Sequence, residues 1–349
     1  MKPRRTVLGA AAGAVTLAAA GAGLDVARRH RAIVRRGPEE HPAFGSLRSD
    51  PITVVAEDGT PLHVEVDEPD EPAGPDDPTV VFCHGYALTL DCWHFQREHL
   101  RGRVRTVFYD QRSHGRSGRS PLGHASIDQL GRDLTSVLDA VVPEGPVVLV
   151  GHSMGGMTIV ALADEHPELF GGRVRGVALI STTAGGLDPS RVLLPIVPAW
   201  LGSRSLHRGI ATLARGHRVV DRLRKVGRRV ALVTTDQIAF GDRVPAAYVR
   251  FVDDMLAATP FEVVAEFFPG FGQLDKFHAV DVLSEVPTTV ICGTADRLTG
   301  VGHSRKLHSR IDGSTLVEEE GAGHMVILER SVEVDDALDK LLVAAGGRA

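Results

Sequence analysis

The segment Gly151-His152-Ser153-Met154-Gly155-Gly156 places a serine among closely spaced glycines. It follows the apolar run 147–150 and opens a stretch with helical periodicity, which is the strand–turn–helix context of a nucleophile elbow. Small residues at 151 and 155 leave room for so tight a turn. The pattern predicts that Ser153 is a nucleophile and that the Met154 N–H, at a helix amino terminus, faces a developing oxyanion. The alternative is a glycine-rich turn with an idle serine.

His324 ends the segment Gly321-Ala322-Gly323-His324, which follows the apolar run 315–317 late in the chain. A serine hydroxyl is a weak nucleophile until a base takes its proton, and the imidazole pKa suits that task near neutral pH. The chain has 16 histidines, so most of them have surface or core roles. The glycine loop after a strand singles out His324 as the candidate base.

Asp296 ends the segment Gly293-Thr294-Ala295-Asp296, which follows the apolar run 288–292. A carboxylate here would fix the tautomer of the base and stabilise its imidazolium form. Ser153, Asp296 and His324 then follow one another in the chain order serine, acid, histidine. This is the order expected for proteins with a nucleophile elbow. Asp296 is therefore the candidate acid, with Asp275 and Asp281 as rivals and a turn-forming aspartate as the alternative.

His84-Gly85-Tyr86 follows the apolar run 79–83 directly. The loop at this position supplies a second oxyanion donor in proteins with a nucleophile elbow. The backbone N–H of Tyr86 is the candidate donor, and His84 is expected to brace the loop rather than act as a base. The alternative for the whole segment is a plain loop.

The elements that must position these residues alternate between strand and helix. The runs 52–55 and 62–66 flank Glu57-Asp58-Gly59-Thr60 and predict a hairpin. Continuous apolar runs predict strands that are buried on both faces, at 79–83, 104–109, 147–150, 174–180, 288–292 and 315–317. Helical periodicity occurs between them at 127–141 and 157–166. The pattern predicts an α/β fold with a doubly wound, mostly parallel sheet.

The alternation breaks between about 184 and 275, where helical patches and prolines replace the apolar strands. An insertion of this kind predicts a helical cap over the carboxyl edge of the sheet, where ligands bind in such folds. The expected organisation is an amino-terminal segment at 1–40, a first core part at 41–183, the cap at 184–275 and a second core part at 276–349.

The 349 residues carry a net charge of −5, but the charge is unevenly distributed. Residues 1–36 contain eight basic side chains and one acidic side chain, whereas the remainder contains 31 basic and 43 acidic side chains and has a net charge of −12. Because phosphate binding needs a positive surface, this acidic body argues against nucleic acid as a partner.

The chain has three cysteines, Cys83, Cys92 and Cys292, and no C-x-x-C spacing. An odd number cannot pair fully within one chain. Buried hydrophobic side chains are the favoured interpretation, and a Cys83–Cys92 bridge stays open.

The amino-terminal segment places Arg4 and Arg5 before an uncharged stretch, 6–24, that is rich in Ala and Gly. This order predicts an export signal or a membrane anchor, and the paired arginines resemble a twin-arginine signal. No clean Ala-x-Ala site precedes Asp25, and positive charge returns at 28–31, which favours holding that flank on the cytoplasmic side. The prediction is an exported or membrane-associated protein. A cytoplasmic protein with an ordinary surface helix or arm is the alternative.

Residues 205–229 contain eight basic side chains and one acidic side chain, with apolar residues near one helical face. A basic amphipathic helix can rest on anionic lipid headgroups. A solvated charged face over a packed apolar stripe is the favoured interpretation. Together with the amino-terminal segment, the helix makes a lipid-like ester the first substrate hypothesis.

With four motifs in this order, residues 50–345 resemble the α/β-hydrolase superfamily, and in particular its capped bacterial serine hydrolases of the esterase and lipase type. A fifth segment, 110–117, resembles the family's D-x-R-G-x-G-x-S loop, with Ser113 in place of the usual first glycine. The resemblance implies that some residues support the site without doing chemistry, and these are His84, Gly85, Gly151, Gly155, Asp110 and Arg112.

The resemblance implies two-step acyl transfer on a small-molecule acyl substrate, first of all a carboxylic ester, with no metal or organic cofactor. Perhydrolysis, carbon–carbon bond hydrolysis and amide hydrolysis use the same three residues and stay open. A non-catalytic binding protein and a membrane-anchored scaffold protein stay open as well. Epoxide hydrolases and haloalkane dehalogenases of this fold are disfavoured, because they need an aspartate where Ser153 stands.

Overall fold

The computed structural model describes residues 24–37, 43–74, 76–187 and 227–347. Eight strands form its centre: β1 (Pro51–Val55), β2 (Pro61–Asp67), β3 (Thr79–Cys83), β4 (Thr106–Tyr109), β5 (Val147–His152), β6 (Val174–Ile180), β7 (Thr288–Gly293) and β8 (Thr315–Glu319). Their order in the sheet is β1-β2-β4-β3-β5-β6-β7-β8. The pairs β1–β2 and β2–β4 are antiparallel, and all the others are parallel.

The described helices cover both faces of this sheet and its carboxyl edge. They are α1 (24–34), α2 (His94–Leu100), α3 (Ile127–Val141), α4 (Met154–Glu165), α5 (Arg228–Ala239), α6 (Ala246–Ala258), α7 (Phe261–Gln273), α8 (Val301–His308), α9 (Val326–Glu329) and α10 (Ser331–Ala344). None of the helices in the described ranges is both long and apolar enough to cross a bilayer.

Successive residues of the central strands enter two different apolar cores, because side chains alternate across a strand. Phe82 of β3 and Val150 of β5 belong to the core on one face, whereas Val81 and Leu149 belong to the core on the other. Both faces therefore need apolar side chains, which explains why these strands are continuous apolar runs. The arrangement confirms the predicted α/β doubly wound fold.

Helix α3 packs on α4 beneath one face of the sheet. Its first turn is capped by Ser126, whose hydroxyl accepts a hydrogen bond from Gln129 N at 3.2 Å. At the crossing with α4, a Cβ on Gly131 would lie only 3.0 Å from the Ala161 side chain. The two helices thus pack backbone to backbone, which fixes the helix that follows Ser153 against the sheet.

Helices α5, α6 and α7 lie between β6 and β7, and we call them the cap. They contact the loops at the carboxyl edge of the sheet: Thr259 Oγ1 donates to Ala87 O at 3.1 Å, and Met325 N donates to Ala239 O at 2.8 Å. Phe261, Phe267, Phe268 and Phe271 of α7 share an apolar cluster with Met154 and Met157 of α4. The cap therefore covers the start of the helix that follows Ser153.

Two sequence predictions fall largely outside the described residues. These are the uncharged amino-terminal stretch up to residue 23 and the basic amphipathic helix at 205–229, of which only 227–229 are described. The three cysteines are all free and buried, so the bridge between Cys83 and Cys92 that the sequence left open is not formed.

Arg112 is fully buried and joins its own loop to α3 and to the β1–β2 turn. Its guanidinium donates to both carboxylate oxygens of Asp133 in α3, each at 2.6 Å, and to those of Asp58 in the β1–β2 turn at 2.7 and 3.2 Å. Two bidentate pairs satisfy the planar guanidinium, which makes a buried charge tolerable.

We expect Arg112→Ala to lower the free energy of unfolding by about 3–5 kcal/mol, because Asp133 would keep a buried charge without a partner. Arg119→Ala is the matched control, since its pair with Glu266 at 2.9 Å is largely solvent-exposed, and it should cost at most about 1 kcal/mol. Urea unfolding measures both values. Equal losses in the two variants would contradict this account of Arg112.

Candidate active site

Ser153 occupies the turn between β5 and α4 with φ 52° and ψ −116°, a left-handed conformation that residues with a side chain rarely adopt. Its N–H donates to Ile180 O at 2.9 Å, and its carbonyl accepts from Thr182 Oγ1 at 2.6 Å. These bonds stabilise Ser153 in a strained conformation that costs about 1–3 kcal/mol. The geometry is that of a nucleophile elbow, which presents the side chain above the strand ends.

The glycines beside Ser153 are required by close contacts. A Cβ on Gly155 would overlap the Cys83 carbonyl of β3, and one on Gly151 would lie 2.6 Å from the Gly155 carbonyl carbon. Helix α4 can begin directly after Ser153 only because both side chains are missing. Its first residue is Met154, which is buried beneath α7 and whose N–H belongs to the unpaired first turn of the helix.

His324 and Asp296 are brought together from two loops at the carboxyl edge of the sheet. His324 Nδ1 lies 2.9 Å from Asp296 Oδ2, and the other carboxylate oxygen accepts from Leu298 N and Thr299 N at 2.8 and 3.0 Å. Burial opposes ionisation of Asp296, but the charge and hydrogen bond of His324 and the bonds from Thr299 and Leu298 outweigh it and lower its pKa to about 2. Asp296 is thus an anion that orients the imidazole.

The rival acids lie elsewhere. Asp275 forms an isolated bridge with Gly185 at the end of the cap, and Asp281 lies in a short 3₁₀ helix before β7. In the described part of the chain only Asp296 forms an ion pair with His324.

The serine and histidine loops are joined through His152, a contact that the sequence analysis missed. His152 Nε2 donates to His324 O at 2.9 Å, and the two rings are 4.9 Å apart between centroids. Among the described residues, no hydrogen bond joins the Ser153 hydroxyl to the His324 ring. Such bonds are often long before substrate binds and tighten in the complex.

The loop after β3 packs against this elbow. A Cβ on Gly85 would lie 2.8 Å from His152 Nδ1, so the loop and the elbow touch through a glycine. Gln111 N donates to His84 Nε2 at 2.9 Å, and His84 Nδ1 donates to Gly85 O at 2.7 Å. Burial lowers the pKa of His84 to about 4. His84 is therefore neutral and cross-links two loops.

The Tyr86 side chain points toward the cap. Its hydroxyl donates to Val264 O of α7, and its ring meets Phe271 edge-on at 4.8 Å between centroids. The Tyr86 side chain is thus bonded to the cap. The backbone N–H is the group of Tyr86 that could donate a hydrogen bond to an oxyanion.

The loop 110–117 supports the same edge of the sheet. Asp110 accepts from Leu90 N and Arg116 N, both at 2.8 Å. Ser113, which replaces the family's usual glycine, has φ 66° and accepts from Ser120 N through its hydroxyl at 2.8 Å. A serine thus takes the left-handed conformation that glycine adopts more cheaply, and a side-chain hydrogen bond offsets the cost.

Glu329 is a second residue that the sequence analysis missed. Its Oε1 accepts from Gly323 N at 2.6 Å, and its Oε2 accepts from Gly241 N and Asp242 N, both at 3.0 Å. Burial raises the pKa of Glu329, although these three N–H groups act in the opposite direction. One carboxylate therefore ties the residue before His324 to the cap segment between α5 and α6. No local pattern in the sequence indicates this role.

We expect Glu329→Gln to loosen both segments, because the amide has one acceptor oxygen and its NH₂ group would face backbone donors. The amides of Gly323, Gly241 and Asp242 should exchange with solvent at least about tenfold faster, in line with the loss of a hydrogen bond to a charged acceptor. Hydrogen exchange measures these rates. Glu333→Gln, on the exposed side of α10, is the matched control and should change none of them. Unchanged exchange in Glu329→Gln would contradict the proposed tie.

We also expect His152 to make the protein acid-sensitive. Burial, and then the charge of His324, lower its pKa to about 3, whereas an unfolded chain would protonate it near pH 6.5. The unfolded state therefore binds more protons between these values, so the free energy of unfolding falls as the pH falls below about 6.5.

His152→Gln keeps a donor toward His324 O and removes the titration. Between about pH 6.5 and 4.5 the wild type should lose about 2 kcal/mol more stability than this variant. Urea unfolding across this pH range is the measurement. Parallel pH profiles for the two proteins would show that His152 does not carry the effect.

Comparison with known proteins agrees with the fold. Residues 78–331 match the family model described as the alpha/beta hydrolase fold. The 3-oxoadipate enol-lactonase 2 of Acinetobacter baylyi is 26% identical over 270 residues, which cover 76% of this chain and 89% of the lactonase. The crystal structure of the enol-lactonase from Burkholderia xenovorans LB400 is 26% identical, with a TM-score of 0.61 and coverage of 84% of this chain and 100% of that one. A thermophilic esterase from Thermogutta terrifontis has the same fold, with a TM-score of 0.66 at 22% identity over 85% of this chain and 99% of that one. The chain is a hydrolase that belongs to the α/β-hydrolase fold family.

Proposed function

We propose that this hydrolase cleaves a carboxylic ester through an acyl-enzyme on Ser153. The observation that carries the proposal is the strained conformation of Ser153 at the edge where Asp296 holds His324. Strain of this kind persists only where the surrounding structure imposes it, and it is typical of residues that react. A non-catalytic binding protein would need neither the strained serine nor a buried anion on the imidazole.

In the proposed first step, Ser153 Oγ attacks the substrate carbonyl while His324 Nε2 takes the hydroxyl proton. The negative charge of Asp296 stabilises the imidazolium that forms. The Met154 and Tyr86 N–H groups donate to the oxyanion, and they act without reorganisation because the elbow and the cap already fix both loops. His324 then returns the proton to the leaving alcohol, and the acyl-enzyme remains.

In the second step His324 takes a proton from water, which attacks the acyl carbonyl. His324 then returns this proton to Ser153 Oγ as the carboxylic acid leaves. Every proton in this cycle passes through His324, so no metal or organic cofactor enters it. The same sequence opens a lactone, which is a cyclic ester, and two of the relatives are named as enol-lactonases. Lactones therefore belong among the substrates to be tested, beside linear esters and lipid-like esters.

We expect Ser153→Ala to lower kcat/KM for p-nitrophenyl esters by at least about a thousandfold, because the nucleophile is removed while the fold is kept. Ser136→Ala is the control, since this serine only donates to Arg132 O within α3 and its loss should leave turnover unchanged. The full chain is used, because Ile33 is buried in the core.

Rates over a series of acyl lengths, together with a lactone, define the acyl pocket. A falling rate with longer chains would exclude a lipid-like ester, and the opposite trend would support one. Equal turnover by the wild type and Ser153→Ala would overturn the mechanism. If neither protein cleaved any ester, amides, diketones and peracid formation would be the next reactions to measure.

A further inference from the structure

Helix α1 is anchored to the cap by one face. Val26, His30 and Ile33 recur at spacings of four and three residues and are the partly or fully buried positions of that face. Ile33 is 1% exposed and belongs to the same apolar cluster as Leu232 and Val249 of the cap. The helix thus has a defined orientation on the protein.

The anchor is completed just after the helix. Arg36 donates to both carboxylate oxygens of Asp236 in α5, at 2.5 and 3.0 Å, and to Val244 O at 3.3 Å. Ala246 N of α6 donates to Arg36 O at 3.4 Å. Arg36 is therefore bonded to both α5 and α6 of the cap. Helix α1 cannot turn about its own axis without losing these bonds.

The opposite face of α1 carries a line of exposed residues that we call the arginine ridge: Leu24, Arg28, Arg31 and Arg35. They follow one another at spacings of four, three and four residues, which places them on one side of a helix. Arg35 stays in this line because its N–H still donates to Arg31 O at 3.2 Å. Leu24 is 72% exposed although it is a large apolar residue.

No acidic side chain among the described residues pairs with the arginines of the ridge. In the described ranges of the chain, Arg28, Arg31 and Arg35 form no ion pair, and the one acidic residue of the helix, Asp25, pairs with Arg29 at 2.7 Å. A row of arginines without an acidic partner in the described ranges is unusual on a chain whose residues 37–349 carry a net charge of −12. Such a row attracts an anionic surface.

We propose that the arginine ridge docks on an anionic lipid bilayer and holds the cap side of the enzyme against it. Nucleic acid offers the same phosphate charge but no apolar phase, whereas the ridge includes exposed Leu24 and follows an uncharged stretch of sequence, 6–23. Basic side chains with an apolar residue among them are the composition that binds at a headgroup interface.

Docking in this orientation brings the cap, which covers the start of α4, toward the bilayer. A substrate dissolved in the membrane would then meet the cap before any other part of the enzyme. This consequence for substrate choice depends on the proposed ester hydrolysis, whereas the docking itself does not.

The test is sedimentation of the full chain with vesicles of phosphatidylcholine alone and of phosphatidylcholine mixed with phosphatidylglycerol. The wild type should bind the anionic vesicles more tightly than the neutral ones, and high salt should weaken this binding. The triple variant Arg28→Gln, Arg31→Gln, Arg35→Gln should partition about a hundredfold less, since each arginine contributes roughly a fivefold factor at an anionic surface.

The matched control is Arg101→Gln, Arg175→Gln, Arg310→Gln, which removes the same charge from three exposed positions away from the ridge. It should bind as the wild type does. Hydrolysis of a water-soluble ester should be equal in all three proteins, which separates a docking defect from a failure of the active site.

Three outcomes would overturn the proposal: equal binding of the ridge variant and the wild type, equal binding of the wild type to neutral and anionic vesicles, and no binding at all. Ridge-dependent binding to a duplex DNA probe without binding to vesicles would assign the ridge to nucleic acid instead.

Discussion

The site depends on one close approach, at which α4 meets the carboxyl end of β3 through Gly155. Any side chain at 155 would overlap the Cys83 carbonyl, so the helix could not start where it does. Because it starts there, Ser153 must turn the chain in a single residue and takes a left-handed conformation. The cost of about 1–3 kcal/mol is offset by hydrogen bonds to both Ser153 backbone groups and by the burial of Met154 beneath the cap.

Buried and partly buried carboxylates organise the loops around this elbow. Asp296, Asp110 and Glu329 each accept two or three backbone N–H groups. Loop backbones at the end of a sheet lack strand partners, and a carboxylate satisfies several of them at once. Burial raises the pKa of Asp110 and of Glu329. Of the three, Asp296 is the one that hydrogen-bonds a histidine ring, and its pKa is lowered instead, so it stays ionised beside His324.

The cap is tied to the loops that carry Tyr86 and His324, the candidate oxyanion donor and the candidate base. Tyr86 bonds to α7, and Met325 bonds to the end of α5. Glu329 adds a second tie between the cap and the loop of His324. A displacement of the cap would therefore shift the loops on both sides of Ser153. The buried face of α1 extends this connection to the outer surface of the cap, where the arginine ridge lies.

The sequence by itself determined the sheet, the elbow and the identity of the acid and base candidates, because each depends on a local pattern: buried strands are continuous apolar runs, and tight turns need glycine. It did not reveal His152 or Glu329, whose partners are distant in the chain. The anchored face of α1 was not evident from the sequence either, because the buried stripe through Ile33 lies among arginines. Only the tertiary structure decided these contacts, since hydrogen bonds between loops depend on which strand ends become neighbours, and no local spacing records that.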